Sequence, residues 1–107
     1  MNKNNKLYKG TLQNIILKLL EKEERMYGYQ MTQKAKEMTQ GELEITEGAL
    51  YPILHKLEDE GVIISEVVNT NGRDRKYYFL TEKGRGIQVE KEREMKSFIQ
   101  NLSFIFN

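Results

Sequence analysis

The sequence contains no cysteine, which excludes disulfides, thiolate nucleophiles and metal sites built on thiolates. Its single histidine, His55, leaves no set of several histidine ligands for a metal ion. No apolar run approaches the length of a membrane span, and no apolar signal segment follows the N-terminus. These absences predict a soluble, cytoplasmic protein without metal, cofactor or membrane association.

Groups that could carry out catalysis are equally scarce. Three acidic residues, Glu58, Asp59 and Glu60, are consecutive at a helix end, so their side chains diverge instead of sharing a proton. The segment Gly84-Arg85-Gly86 contains two glycines but lacks the spacing of a phosphate-binding loop. We therefore expect a binding protein and not an enzyme.

Length and charge narrow the kind of binding. The 107 residues are 38% hydrophobic and 31% charged, which fits one small domain with much solvated surface or with apolar area covered in a dimer. A net charge of +1 excludes a uniformly basic DNA-binding coat. Positive charge is concentrated locally instead, near the N-terminus and in a loop, at Lys3, Lys6, Lys9, Arg73, Arg75 and Lys76.

Apolar periodicity predicts three helices in the first 60 residues. The first runs from about Thr11, a candidate cap, to residues 22–25, and a second opens at Tyr27-Gly28-Tyr29 and stops at Gly41. The segment 43–45 suits one short strand. A third helix, capped by Thr46 and ended by Gly61, carries apolar residues at i, i+3, i+4 and i+7, namely Leu50, Ile53, Leu54 and Leu57.

Two β-rich runs and a long helix follow. Residues 62–68 and 76–80 flank a turn at Asn71-Gly72, and Thr81 caps a fourth helix that extends to about residue 102. The predicted fold is mainly α with a small β-hairpin (α+β), a winged helix-turn-helix plus a long C-terminal dimerisation helix. Residues 1–86 would form the DNA-binding domain and residues 87–107 the dimerisation helix.

The outward face of the third helix is the first candidate for DNA contact. Gly48, Pro52 and His55 lie opposite the leucines, with Tyr51, Ala49 and Lys56 on the flanks. A small, lightly charged face of this kind allows a helix to approach base edges in a major groove. The alternative is a solvated face that touches nothing, which Glu47 and the acids at 58–60 favour.

The hairpin tip is the second candidate. Arg73, Arg75 and Lys76 would lie along a phosphate backbone or in a minor groove beside the helix. The alternative is a charged turn that only keeps the surface solvated.

The last helix carries one apolar stripe, formed by Met95, Phe98, Ile99, Leu102, Ile105 and Phe106. An exposed stripe of this size predicts a symmetric dimer, which would also supply two DNA-reading heads for a palindrome. Packing on the chain's own first helix is the alternative, and both can hold together. Met95 and Phe98 are also candidates to line an effector cavity at the dimer axis, although such stripes more often form core.

Several motifs in order resemble the PadR family of bacterial transcriptional regulators, of the short, single-domain type. They are Tyr27-Gly28-Tyr29, the block EGALYPIL at 47–54, the block LEDEGVI at 57–63, Gly72-Arg73 with RKYY at 75–78, and LTEKG at 80–84. The match covers residues 8–86, and its specificity comes from the order and spacing of the blocks. One departure is that the chain has no tryptophan, which some short relatives use to stack planar drugs.

The resemblance implies a winged-helix repressor that binds an inverted-repeat operator on double-stranded DNA as a homodimer and responds to phenolic or other small hydrophobic effectors. It implies DNA contacts from the third helix, the wing and the start of the first helix. Carried over to this sequence, those are Thr46, Glu47, Ala49, Tyr51, His55, Lys56, Gly72, Arg73, Arg75, Lys76, Lys6, Tyr8 and Lys9. A different class stays open: a protein-interaction adaptor that keeps the winged fold without operator binding, which the near-zero net charge and Glu47 favour.

Overall fold

The computed structural model describes residues 5–107, and for Asn5 only the backbone. Within that range the helices pack on one face of a small sheet, and one long helix ends the chain. The elements are α1 (Asn5–Tyr8), a 3₁₀ turn (Lys9–Thr11), α2 (Leu12–Glu23), β1 (Arg25–Tyr27), α3 (Gly28–Met38), α4 (Glu47–Asp59), β2 (Ile63–Thr70), β3 (Arg73–Leu80) and α5 (Glu82–Phe106). This is the mainly helical α+β architecture that the sequence predicts.

The core lies where α2, α3 and α4 meet the inner face of the sheet. Helix α4 buries the leucines predicted for its apolar face, while Ile53 stays half-buried at the edge. The side chains with essentially no exposure come from every layer and include Ile16, Leu17, Leu20, Met31, Leu50, Leu54, Leu57, Ile63 and Tyr78. Burial of this continuous apolar cluster holds the helices against the hairpin.

The sheet has three antiparallel strands in the order β1-β3-β2. Tyr78 occupies its centre, since it is paired with Ser65 of β2 on one side and Met26 of β1 on the other. Side chains alternate along β3, so Tyr78 and Leu80 face the core while Tyr77 and Phe79 face outward.

The predicted short strand at residues 43–45 is wrong. Leu43 and Ile45 are buried with Glu44 exposed between them, so the side chains alternate as in a strand. The segment has no strand neighbour, and the Leu43 amide donates instead to Thr39 Oγ1 at 2.9 Å. The third strand of the sheet is β1, which follows α2; Glu24, at a positive φ of 64°, ends that helix just before the strand. Local sequence pattern does not reveal that β1 pairs with β3.

Two of the three predicted helix caps are confirmed. Thr46 Oγ1 accepts the Ala49 amide at 3.2 Å, and Thr81 Oγ1 accepts the Gly84 amide at 2.9 Å. Thr11 is not a side-chain cap, because its hydroxyl donates to the Tyr8 carbonyl at 2.8 Å. The chain enters α2 through a 3₁₀ turn, Lys9–Thr11, and not through a side-chain cap at Thr11.

Helix α5 has two halves with different surroundings. Its first half packs on α2, where Gln88 is buried and Glu92 pairs with Lys18 at 2.9 Å. Its second half, from Phe98 onward, is exposed, and the helix continues past the predicted end to Phe106. The division at residue 86 that the sequence predicts therefore falls inside a continuous helix.

Candidate nucleic-acid interface

Helix α4 presents its polar face to solvent, as the sequence predicts. Glu47, Tyr51, His55 and Lys56 are exposed, and Ala49 is half-buried on the flank. Thr46 occupies the N-cap, so its hydroxyl is committed to the Ala49 amide. Gly48, in the first turn, is exposed and has no side chain, and a Cβ there would lie no nearer than 4.0 Å to a neighbouring atom. The N-terminal half of α4 can therefore approach another surface closely.

The hairpin β2–β3, called the wing below, turns at Asn71 and Gly72. Both residues have positive φ, 53° and 77°, as a two-residue type I′ turn requires. Asn69 Nδ2 donates to Asp74 Oδ1 at 2.8 Å across the hairpin. The tip is thus a tight turn with a defined register between its two strands.

The three predicted wing cations do not point in one direction. Alternation along β3 sends Arg73 and Arg75 to the outer face of the sheet and Lys76 to the face that carries α4. The Arg75 guanidinium lies 4.7 Å from the centre of the Tyr27 ring. Arg73 is exposed, and among residues 5–107 the structure records no ion pair or ring contact for it. Arg73 is the wing cation best placed to meet an external anion.

Arg75 is one end of a stacked row on the outer face of the sheet. Tyr27 meets Tyr77 edge to face at a centroid distance of 5.3 Å, and the Arg25 guanidinium lies 4.5 Å from the Tyr77 ring centre. Such cation–π and aromatic contacts stabilise the outer face by about 1 kcal/mol each. This row of Arg75, Tyr27, Tyr77 and Arg25 is not predicted from the sequence, because local pattern does not reveal that β1 pairs with β3.

On the opposite face, Glu58 connects α4 to both strands of the wing. Its Oε2 accepts the Ser65 hydroxyl at 2.6 Å, and its Oε1 lies 3.7 Å from Lys76 Nζ. The Lys76 ammonium also lies 5.6 Å from the centre of the Tyr78 ring. Burial raises the pKa of the Tyr78 hydroxyl, and the nearby Glu58 carboxylate raises that pKa further.

The N-terminal candidates occupy two different environments. Lys6 and Lys9 are exposed, whereas the half-buried Tyr8 packs against the core and lines an apolar groove. Lys3 lies outside the described residues.

That groove, of about 460 Å³, runs between α1, α2, α3 and α5. Met95, Phe98 and Ile99 line it from α5, and Ile15 and Met38 face it from α2 and α3. The rest of the predicted α5 stripe, Leu102, Ile105 and Phe106, continues beyond it and is exposed by 38%, 71% and 82%. The stripe and groove form one uncovered apolar surface on a single chain.

Residues 5–107 contain neither a membrane-spanning helix nor a cluster of metal ligands. No helix there is long and apolar enough to cross a membrane. No group of three or more histidine, aspartate and glutamate side chains in residues 5–107 could hold a metal ion. Glu58, Asp59 and Glu60 lie at the end of α4, where only Glu58 turns toward the wing.

Comparison with known proteins gives a consistent result. The model of the Transcriptional regulator PadR-like family matches residues 16–88. An uncharacterized protein of Lysinibacillus sphaericus is 33% identical over 89 residues, which cover 82% of this chain and 81% of that protein. The transcriptional regulator Rv3488 of Mycobacterium tuberculosis is 31% identical over 77 residues, covering 72% and 69%.

Solved structures of PadR-like proteins share the fold of this chain. The crystal structure of a PadR-like transcription factor from Bacteroides fragilis superimposes with a TM-score of 0.74 at 34% identity, covering 95% of this chain and 96% of that one. The similarity therefore extends over the wing and most of the long final helix.

Proposed function

The chain belongs to the PadR-like family of transcriptional regulators, and on that premise we propose that it is a repressor that binds an inverted-repeat operator as a homodimer. The family is one of DNA-binding regulators and not of enzymes. The proposal concerns what the family alone leaves open: the contacts, the oligomer and the response to an effector.

The observation that carries the proposal is the pairing of an exposed, lightly charged helix face with a basic wing tip beside it. Tyr51, His55 and Lys56 project from α4, and Glu58 ties that helix to the wing. In this arrangement α4 enters the major groove with its N-terminal half, and Arg73 reaches the flanking minor groove or backbone. Thr46, Glu47 and Ala49 lie at the entering end, with Gly72 at the wing tip.

Arg75 and Lys76 have a different part in this proposal. Each is held by a contact within the chain, Arg75 on Tyr27 and Lys76 at Glu58. They add positive potential near the DNA and keep the wing in place, while Arg73 makes the direct contact. Lys6 and Lys9 would approach the backbone from the start of the chain, and Tyr8 would support them by packing on the core.

The homodimer is proposed from the uncovered surface of α5. Five of the six apolar side chains on the stripe are exposed on the single chain, and Met95 is half-buried beside them; an isologous contact between two copies would cover the stripe of each copy. Residues 87–107 would then act as the dimerisation part and residues 1–86 as the DNA-binding part. Met95 and Phe98, which line the groove, would contact a small hydrophobic or phenolic effector.

The first test is a titration of labelled duplex from the region upstream of the protein's own gene, at two salt concentrations, beside a scrambled duplex. Binding that neutralises several phosphates weakens steeply as salt rises. We expect tight, salt-sensitive binding to the native duplex and weaker binding to the scrambled one. Two results together would contradict the proposal: equal, weak binding to the native and scrambled duplexes, and a genome-wide selection of fragments that yields no tightly bound sequence.

One observation favours the second candidate, an interaction adaptor without operator binding. Two of the three wing cations are occupied within the chain, and Glu47 stands exposed at the end of α4 that would enter the groove. An apolar protein interface would respond little to salt, so the same titration separates the two candidates.

A further inference from the structure

We propose that Glu58 is a positioning residue for DNA recognition, whose carboxylate fixes the wing relative to α4. This inference rests on the proposed function, because it concerns how the two DNA-contacting elements are held in register. In the sequence, Glu58 is one of three consecutive acids at the end of the third helix, which favour a solvated face. The structure distinguishes it from its neighbours, since Asp59 and Glu60 are exposed while Glu58 is half-buried against the hairpin.

The hydrophobic core anchors the wing at its base. At its base, Ile63, Tyr78 and Leu80 are buried in the core and hold the hairpin firmly. Further out, the residues on the α4-facing side are Val67 and Asn69 of β2 and Asp74 and Lys76 of β3, and all four are exposed. Beyond Tyr78 the core therefore gives the hairpin no support on this side.

Glu58 is the outermost link between α4 and that side of the wing. One carboxylate oxygen accepts the Ser65 hydroxyl of β2 at 2.6 Å, and the other lies 3.7 Å from Lys76 Nζ of β3. A carboxylate that reaches both strands resists bending of the hairpin toward or away from the helix. A hydrogen bond to a charged acceptor is also stronger than one between neutral groups.

The position of the wing tip depends on this link. Arg73 lies at the distal end of β3, so a small change of angle near Ser65 becomes a displacement of several ångströms at the tip, with about 3.3 Å of strand per residue. On the outer face, the contact of Arg75 with Tyr27 restrains the same hairpin from the other side. Glu58 thus determines the distance between α4 and Arg73 at the wing tip, and with it which phosphate or groove position Arg73 contacts.

Positioning and simple repulsion predict opposite signs for DNA binding. If Glu58 only repels phosphate, then removing its charge raises affinity for DNA. If it positions the wing, Glu58→Ala lowers affinity and reduces the salt dependence, because Arg73 no longer reaches its phosphate in either half-site. The expected fall in the slope of log K against log salt is about 2 for a dimer that loses one contact per wing.

The experiment uses the full chain and two readouts. The first is the ¹⁵N order parameter of the backbone at residues 67–76 without DNA, which we expect to fall from about 0.8 toward 0.6 in Glu58→Ala. The second is the salt titration on the upstream duplex described above. Asp59→Ala is the matched control, because it removes the same charge one residue away and should change neither the wing order nor the slope. Glu58→Gln, which keeps an acceptor for Ser65, should fall between wild type and Glu58→Ala.

Each outcome decides the proposal. Unchanged wing order in Glu58→Ala overturns it, and so does a looser wing with equal or higher DNA affinity. If Glu58→Ala fails to fold, Ser65→Ala replaces it, because it removes the hydrogen bond to Glu58 from the wing side without changing the charge of the DNA-facing surface. If wild type binds no duplex, the proposed function fails, and the role in DNA recognition fails with it. The order parameters would then still report whether Glu58 holds the hairpin.

Discussion

Tyr51 of α4 lies directly over Gly28, the first residue of α3. A Cβ at position 28 would sit 2.5 Å from Tyr51 Oη, 3.0 Å from its Cζ and 3.3 Å from Leu50 Cδ2. Glycine permits this close approach, since a Cβ here would force the Tyr51 ring to shift, and its φ is not in the left-handed region. The contact joins the start of one helix of the helix-turn-helix to the exposed face of the next.

Gly28→Ala should lower the free energy of unfolding by about 1–3 kcal/mol, because the added methyl overpacks this contact. Adding Tyr51→Phe to it should recover part of the loss, since the atom nearest to the new methyl is the hydroxyl oxygen. Urea unfolding of the two single variants and the double variant measures the coupling. Gly48→Ala is the control and should not destabilise, because its Cβ would lie 4.0 Å from Thr46 Oγ1, an ordinary contact, and because the residue lies inside α4. Additive effects of the two changes would show that the side chains do not meet.

Arg73→Ala should weaken operator binding and reduce the salt slope by about 2 per dimer, because each wing loses one phosphate contact. Its melting temperature should stay unchanged, since Arg73 is exposed and without a recorded ion pair or ring contact in residues 5–107. Arg75→Ala should also destabilise the wing slightly, because it removes the contact with Tyr27. Arg93→Ala, on the polar face of α5, serves as the control of equal charge. An unchanged slope in Arg73→Ala would contradict direct contact.

Phe98→Glu should raise the dimer dissociation constant by at least about 100-fold, since an unpaired charge buried in an interface costs roughly 3 kcal/mol or more. Sedimentation velocity over a concentration series measures the change. The control is Phe104→Glu, which alters an exposed phenylalanine on the opposite side of the same helix and should leave the dimer intact. A dimer that survives Phe98→Glu would move the interface elsewhere.

Glu92 should make the attachment of α5 to α2 sensitive to acid. Hydrogen bonds from Lys18, Gln88 and Lys96 lower the pKa of Glu92 from 4.5 to about 2. A lowered pKa means that its stabilising effect is fully present above pH 4.5 and is lost as the pH falls toward 2. Hydrogen bonds to Glu21 and then to Glu92 raise the pKa of Lys18, so its charge is retained throughout this range.

Thermal melting of wild type and Glu92→Gln should therefore differ most near pH 7 and converge as the pH approaches 2. Glu94→Gln should show a smaller difference across the same range, because the ion pair recorded for Glu94 within residues 5–107 is with Lys91 of its own helix at 3.7 Å. If the difference in melting temperature between wild type and Glu92→Gln is the same at all pH values, then packing, and not charge, accounts for that difference.

Much of this molecule could be predicted from local sequence. The leucines of α4 recur at helical spacing, Thr46 and Thr81 begin helices with their hydroxyls, and Asn71-Gly72 supplies the two positive φ values of the turn. Each of these features depends on residues within a few positions of one another. The fold class and the family follow from them, because the order and spacing of local elements is what the family motifs record.

Only the tertiary structure decided how those elements meet. The pairing of β1 with β3 brings Tyr27 to Arg75 across about 50 residues, and the close contact of Gly28 with Tyr51 spans two helices. The sequence predicts three wing cations without distinguishing them; within residues 5–107 the structure records contacts that hold Arg75 and Lys76 and no ion pair or ring contact for Arg73. Local propensity cannot assign such partners, because strand register and side-chain direction are set by burial across the whole domain and not by neighbours in the chain.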